Sequence, residues 1–75
     1  MHYGVIKIDC DTNKTTYLYD CIETIEEADL LAQYAMYNKK DWEIIHITPG
    51  WNRSIKNNLD EFEKALQLTE KYRRV

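Results

Sequence analysis

Seventy-five residues, 44% hydrophobic and 31% charged with a formal net charge of −3, describe one small globular domain spanning 1–75 and exclude a disordered or collagen-like chain. No apolar run approaches the roughly 18 residues of a membrane span. The opening Met-His-Tyr-Gly-Val-Ile-Lys-Ile-Asp lacks the basic segment, apolar block and small-residue cleavage site of a secretion signal, so a cytoplasmic address is expected.

Tyr3 to Asp9 and Thr15 to Asp20 read as two strands around Asp11-Thr12-Asn13, with Asn13 suited to the left-handed conformation that closes a three-residue hairpin loop. That register pairs Ile6 with Leu18 and Ile8 with Thr16 on one face, and Val5 with Tyr19 and Lys7 with Tyr17 on the other. Thr24-Ile25-Glu26-Glu27 is a capping box and predicts a helix from Ile25 to about Lys39. Its apolar stripe is Ile25, Ala28, Leu31, Ala32 and Ala35, with Leu30, Tyr34 and Tyr37 as a flanking row.

The densest β-branched and aromatic run, Trp42 to Thr48, predicts a third strand that ends at Pro49-Gly50. Residues 49–57 lack periodicity and form a connection. Asn58-Leu59-Asp60-Glu61 repeats the capping pattern and starts a last helix, whose stripe is Leu59, Phe62, Ala65, Leu66, Thr69 and Tyr72, with Leu68 off it. The order β-β-α-β-α, with a helical crossover from strand two to strand three, predicts an α+β fold with an antiparallel three-stranded sheet of order 2-1-3, packed with two helices.

The spacing of chemistry-bearing residues is less generous. Cys10 and Cys21 fall at opposite ends of the hairpin, roughly 20 Å apart at the rise of a strand, too far for a disulfide or a shared metal site. Buried, reduced thiols and no metal are expected, and no cofactor, since the only glycines, Gly4 and Gly50, form no phosphate loop. His46, mid-strand and within reach of Asp9 across the sheet, is the one candidate for acid–base work, and no second group converges on it.

Two surfaces are candidates for binding. If both helices cover the Ile6, Ile8, Leu18, Ile45 and Ile47 face, the other presents Tyr3, Val5, Tyr17, Tyr19, Trp42, Ile44 and His46, more apolar area than a soluble monomer leaves bare. Alternatively the last helix crosses over and covers that face. The connection carries Trp51, Arg53 and Lys56, a contact loop for a protein or a polyanion, or a core lid. Residues 1–43 carry nine acids and four bases, and residues 44–75 four acids and six bases.

The abundance of Ile, Lys, Asn and Tyr resembles proteins of AT-rich bacterial genomes and their phages, where chains of this size are often inhibitors or adaptors. Elimination and presentation together lead to a non-enzymatic protein-binding module, an inhibitor or adaptor that covers a surface of another protein or of a second copy through the sheet face. Its expected contact residues are Trp51, Arg53, Lys56, Tyr17, Tyr19, Trp42 and His46. Nucleic-acid binding through the Trp51/Arg53/Lys56 loop is the alternative, and a small enzyme using His46 a third.

Overall fold

Local side-chain chemistry places the first turn. In the computed structural model, which describes residues 2–49 and 61–72, β1 (Tyr3–Asp9) and β2 (Lys14–Ile22) are joined through residues 10–13. Asp9 Oδ1 accepts the N–H groups of Asp11 at 2.9 Å and Thr12 at 3.2 Å, and Thr12 Oγ1 accepts that of Lys14 at 3.4 Å. These bonds satisfy the loop backbone from within, the usual work of Asp and Thr in turns. Asn13 takes φ 58°, the left-handed conformation expected of it.

The loop is one residue longer than expected, and the register changes with it. Asp9 pairs with Lys14, Ile8 with Thr15, Lys7 with Thr16 and Ile6 with Tyr17, so Lys7 does not face Tyr17 and Ile6 does not face Leu18. A shift of one residue exchanges the faces of one strand relative to the other. Val5 nevertheless faces Tyr19, as expected, because a register shift between Val5 and Ile6 absorbs Leu18 as an extra residue on β2. At such a bulge strict alternation fails, and Leu18 joins Tyr19 in packing against the core. A second shift sets Tyr3 opposite Ile22 and leaves Cys21 at φ 55°.

The third strand, β3 (Glu43–Thr48), lies antiparallel on the far side of β1. The sheet has the expected order β2-β1-β3. Pairing of Val5 with Ile47 and of Lys7 with Ile45 defines the inner face, while Gly4 with Thr48, Ile6 with His46 and Ile8 with Ile44 define the outer. Val5, Ile22, Ile45 and Ile47 are buried, and Ile44 is 43% exposed. Ile6 and Ile8, expected inside, are therefore outside, whereas Val5, Tyr3 and Tyr19, expected outside, are inside. Both parities of β1 are apolar, so period alone does not orient it; the partner Ile47 does.

Helix α1 (Ile25–Asn38) starts at the Thr24 cap, whose Oγ1 accepts the Glu27 N–H at 3.2 Å and donates to Glu27 Oε1 at 3.1 Å. Ala28, Leu31, Ala32 and Ala35 are buried, as the stripe predicts. Small side chains there let the helix axis approach the sheet closely.

The last helix, α2 (Phe62–Lys71), uses the flanking row of α1. Phe62 meets Tyr34 in a tilted ring contact at 5.7 Å and Tyr37 edge-on at 6.0 Å. At the other end Lys71 and Tyr72 reach Glu27. The two helices are thus antiparallel. Leu68 enters the cluster formed by Val5, Leu31 and Ile47, which puts α2 on the same side of the sheet as α1.

The buried stripe of α2 differs from the expected one. Ala65 and Leu68 are buried, while Leu66 is 38% and Phe62 42% exposed. Leu68, set aside by the periodicity, is the residue that closes the core. The expected cap at Asn58 lies outside the described residues, and Glu61 precedes the helix without a side-chain cap.

Candidate functional site

Since α1 and α2 share one side, no described helix covers the outer sheet face. It is built from Ile6 and Ile8 of β1, Ile44 and His46 of β3, and Tyr17 of β2, with Gly4 and Thr48 at one end. Tyr17 and Ile44 expose 44% and 43% of their surface. Gly4 is closely approached: a β-carbon there would stand 3.3 Å from Tyr17 Cε1, 3.3 Å from the Tyr19 carbonyl oxygen and 3.4 Å from Thr48 Cγ2, so a larger residue would press these neighbours aside by a few tenths of an ångström. The Tyr17 ring leans over this gap.

Trp42 stands in the turn before β3, 44% exposed. Its frame is rigid. The Glu43 carboxylate accepts the Lys40 N–H at 2.8 Å and pairs with Lys7 Nζ at 3.3 Å. The Glu43 N–H donates to the Lys40 carbonyl at 3.0 Å, and the Cys10 N–H to the Trp42 carbonyl at 2.9 Å. The Lys40 hydrogen bond, with help from Lys7 and against the effect of burial, holds the Glu43 carboxyl below the ordinary glutamate value. The Lys40 ammonium lies 5.4 Å from the centre of the exposed indole, a cation–π contact.

Of the residues expected at the contact surface, the structure brings Tyr17 and His46 together on the outer side, both beside Ile6, and leaves Trp42 44% exposed in the turn before β3. It removes Tyr19. That ring packs against the core beside Val5, where burial, with a smaller contribution from Tyr34, raises its phenol above the usual tyrosine range. Trp51, Arg53 and Lys56 lie outside the described residues. Ile6 and Ile8 are the members that sequence reasoning missed. Their facing is decided by the register of β1 on β3, which pairs Val5 with Ile47 and Lys7 with Ile45 on the inner side and leaves Ile6 and Ile8 outward, and no local motif announces that pairing.

The inner side offers a different feature, a cleft of about 310 Å³ between the sheet and the C-terminal half of α1. Lys7, Tyr19, Tyr34, Asn38, Lys39 and Glu43 contribute its polar lining. Its groups are largely committed to one another: Lys7 to Glu43, Asn38 Nδ2 to the Tyr34 carbonyl at 3.0 Å, and Lys39 Nζ to the Lys40 carbonyl at 3.3 Å.

The suggested acid–base couple does not form. His46 pairs with Ile6 and points outward, whereas Asp9 pairs with Glu43 at an inward position and spends Oδ1 on the hairpin loop. Cys10 and Cys21 are both exposed rather than buried, at the two ends of the hairpin. Among the described residues no three His, Cys, Asp or Glu side chains gather as a metal site would require, and no helix is long and apolar enough to cross a membrane. Comparison with protein families, with curated proteins and with solved structures finds no match to this chain.

Proposed function

We propose that this chain is a non-enzymatic protein-binding module, a small inhibitor or adaptor that works by laying the outer sheet face on another macromolecule. The observation that carries the reading is the face itself: Ile6, Ile8, Tyr17 and Ile44 form a contiguous apolar surface on paired strands, with Tyr17, Ile44 and the neighbouring Trp42 each more than two-fifths exposed. Contiguous apolar surface of this kind marks contact sites, and aromatic side chains are enriched where binding energy concentrates. Strands hold such groups in place before contact, so little ordering cost falls on association. Two exposed thiols suit a reducing compartment, which supports a cytoplasmic address.

The test compares wild type with Ile44→Glu for retention of partners from an extract of the source cell, alongside far-ultraviolet circular dichroism of both proteins. The reading requires a partner retained by wild type and lost by a folded Ile44→Glu. Retention of the same partner by the variant defeats it. Titration with single-stranded and duplex oligonucleotides over a range of salt accompanies this, because phosphate contacts impose a steep salt dependence.

A further inference from the structure

We infer that the cleft of about 310 Å³ between the sheet and the C-terminal half of α1 binds a small organic carboxylate, a single negative charge carried on a compact apolar body. This site lies on the opposite side of the sheet from the outer face and does not rest on the reading of that face.

Size and walls come first. Sites for small molecules begin at about 300 Å³ and combine apolar walls with a few convergent polar groups. Leu18, Ala35 and Ile45 are the apolar wall here, and the volume suits one ring or a short branched chain with its head group.

The polar lining is rich in donors and poor in acceptors. Glu43 is its one carboxylate among the described residues, and each of its oxygens already has a donor, the Lys40 N–H at 2.8 Å and Lys7 Nζ at 3.3 Å. An ammonium has three N–H groups. Lys7 spends one on Glu43 and Lys39 one on the Lys40 carbonyl, which leaves two on each. The Tyr19 and Tyr34 hydroxyls have no hydrogen-bond partner among the described residues. Burial, and after it Tyr34, raises the Tyr19 phenol, so this hydroxyl keeps its proton and donates.

Charge selects among acceptors. Glu43 answers Lys7, while Lys39 has no carboxylate partner among the described residues. The end of α1 opposes Lys39 with about half a unit of negative charge, so the lining stays positive. An ammonium or amide ligand would bring further N–H groups to a cleft short of acceptors. A carboxylate brings two acceptor oxygens and no donor. A dianion would carry more charge than the lining answers and has no use for the apolar wall.

Titration of isotope-labelled wild type with benzoate, followed through the amide shifts in two-dimensional NMR, tests this. Saturable shifts are expected at Lys7, Tyr19, Asn38, Lys39 and Ile45, with half-saturation at about 1 mM, within reach of a ligand of so few atoms. Benzamide keeps the ring and loses the charge, and should bind about tenfold more weakly, because hydrogen bonds to an ionised acceptor are the stronger. Lys39→Gln and Tyr19→Phe, with unchanged circular dichroism, should each weaken benzoate about threefold or more. The comparison of benzoate with benzamide on wild type stands even if Tyr19→Phe fails to fold. An absence of saturable shifts up to about 20 mM benzoate overturns the inference. So does benzamide binding as tight as that of benzoate, a folded Lys39→Gln protein that binds like wild type, or a set of shifts scattered over the cationic surface outside the cleft.

Discussion

The Tyr72 hydroxyl, at the end of α2, donates a 2.9 Å hydrogen bond to Glu27 Oε1 in the first turn of α1 and accepts the Glu23 N–H at 3.4 Å. Glu27 also receives the Thr24 hydroxyl and Lys71 Nζ at 3.3 Å. One carboxylate thus caps the first helix and ties down the second, which touches the sheet chiefly through the core cluster around Leu68. Hydrogen bonds to a charged group contribute about 1.5 to 3 kcal/mol. Tyr72→Phe is accordingly expected to cost about 1 to 2 kcal/mol in urea unfolding. In a double-mutant cycle with Glu27→Gln the two losses should be clearly less than additive. Additive losses would mean that the two side chains act independently.

The same junction makes stability depend on pH. Burial alone would raise the Glu27 carboxyl, but hydrogen bonds from Tyr72, Thr24 and Lys71, with the Lys71 charge, outweigh it and hold the group below its ordinary value. A carboxyl depressed in the folded state contributes stability that is present above its unfolded pKa and lost as pH falls through the lower folded one. Wild type should exceed Glu27→Gln in unfolding free energy at neutral pH, and the gap should close in the acid range below the ordinary glutamate value. A gap that persists there would show that Glu27 acts through shape rather than charge.

Core closure gives a third test, with an outcome opposite to the helical pattern. Leu68→Ala removes a buried side chain and is expected to cost about 2 to 4 kcal/mol, close to the whole stability of so small a domain. Leu66→Ala, on the exposed flank, should cost under about 1 kcal/mol. Phe62→Ala falls between them at about 1 to 2 kcal/mol, since the ring is 42% exposed yet packs on Tyr34 and Tyr37. Thermal or urea melts of the three variants decide the order.

These contrasts mark where the sequence is legible. Element order, sheet order and the α1 cap follow from signals confined to a few neighbouring residues: the Thr24 to Glu27 box, the β-branched run of Ile44, Ile45 and Ile47, and Asn13 at its left-handed site. Facing does not follow so directly, because it depends on counting residues between partners. One more residue in the hairpin loop moves Ile6 from Leu18 to Tyr17, and the bulge at Leu18 cancels that shift so that Val5 and Tyr19 stay paired; the pairing of Val5 with Ile47 then carries both inward and leaves Ile6 and Ile8 outside. On α2, the choice between Leu66 and Leu68 is open by period, since each lies three or four residues from another apolar side chain. The Leu30, Tyr34, Tyr37 row decides it by giving α2 a surface on α1 rather than on the sheet.

Gly4 offers a test of how the outer face is shaped. A methyl group added there stands 3.3 Å from both the Tyr17 ring edge and the Tyr19 carbonyl oxygen, and only the ring can yield. Gly4→Ala should therefore displace Tyr17 from the sheet surface at a cost of about 1 to 2 kcal/mol. In Tyr17→Ala protein, where the ring is absent, the same substitution should cost less. Equal costs in both backgrounds would place the obstruction in the backbone at Tyr19.

Cys21 is a strained position, an exposed non-glycine residue at φ 55° in the second bulge of the edge strand. An L side chain in the left-handed region costs about 1 to 2 kcal/mol through the clash of Cβ with the following carbonyl oxygen, and glycine adopts it freely. Part of that relief is offset because glycine also gains freedom in the unfolded chain. Cys21→Gly is therefore expected to hold or raise stability by up to about 1 kcal/mol, even though the position lies within a strand, where glycine ordinarily weakens the structure. Cys21→Val, which introduces a β-branched residue that tolerates positive φ least, should lower stability by about 1 to 2 kcal/mol despite its higher strand preference. Urea melts of both variants under reducing conditions read the difference. A Cys21→Val protein more stable than the Cys21→Gly protein would mean that the bulge relaxes to ordinary extended backbone, and with it the register that seats Ile22 in the core.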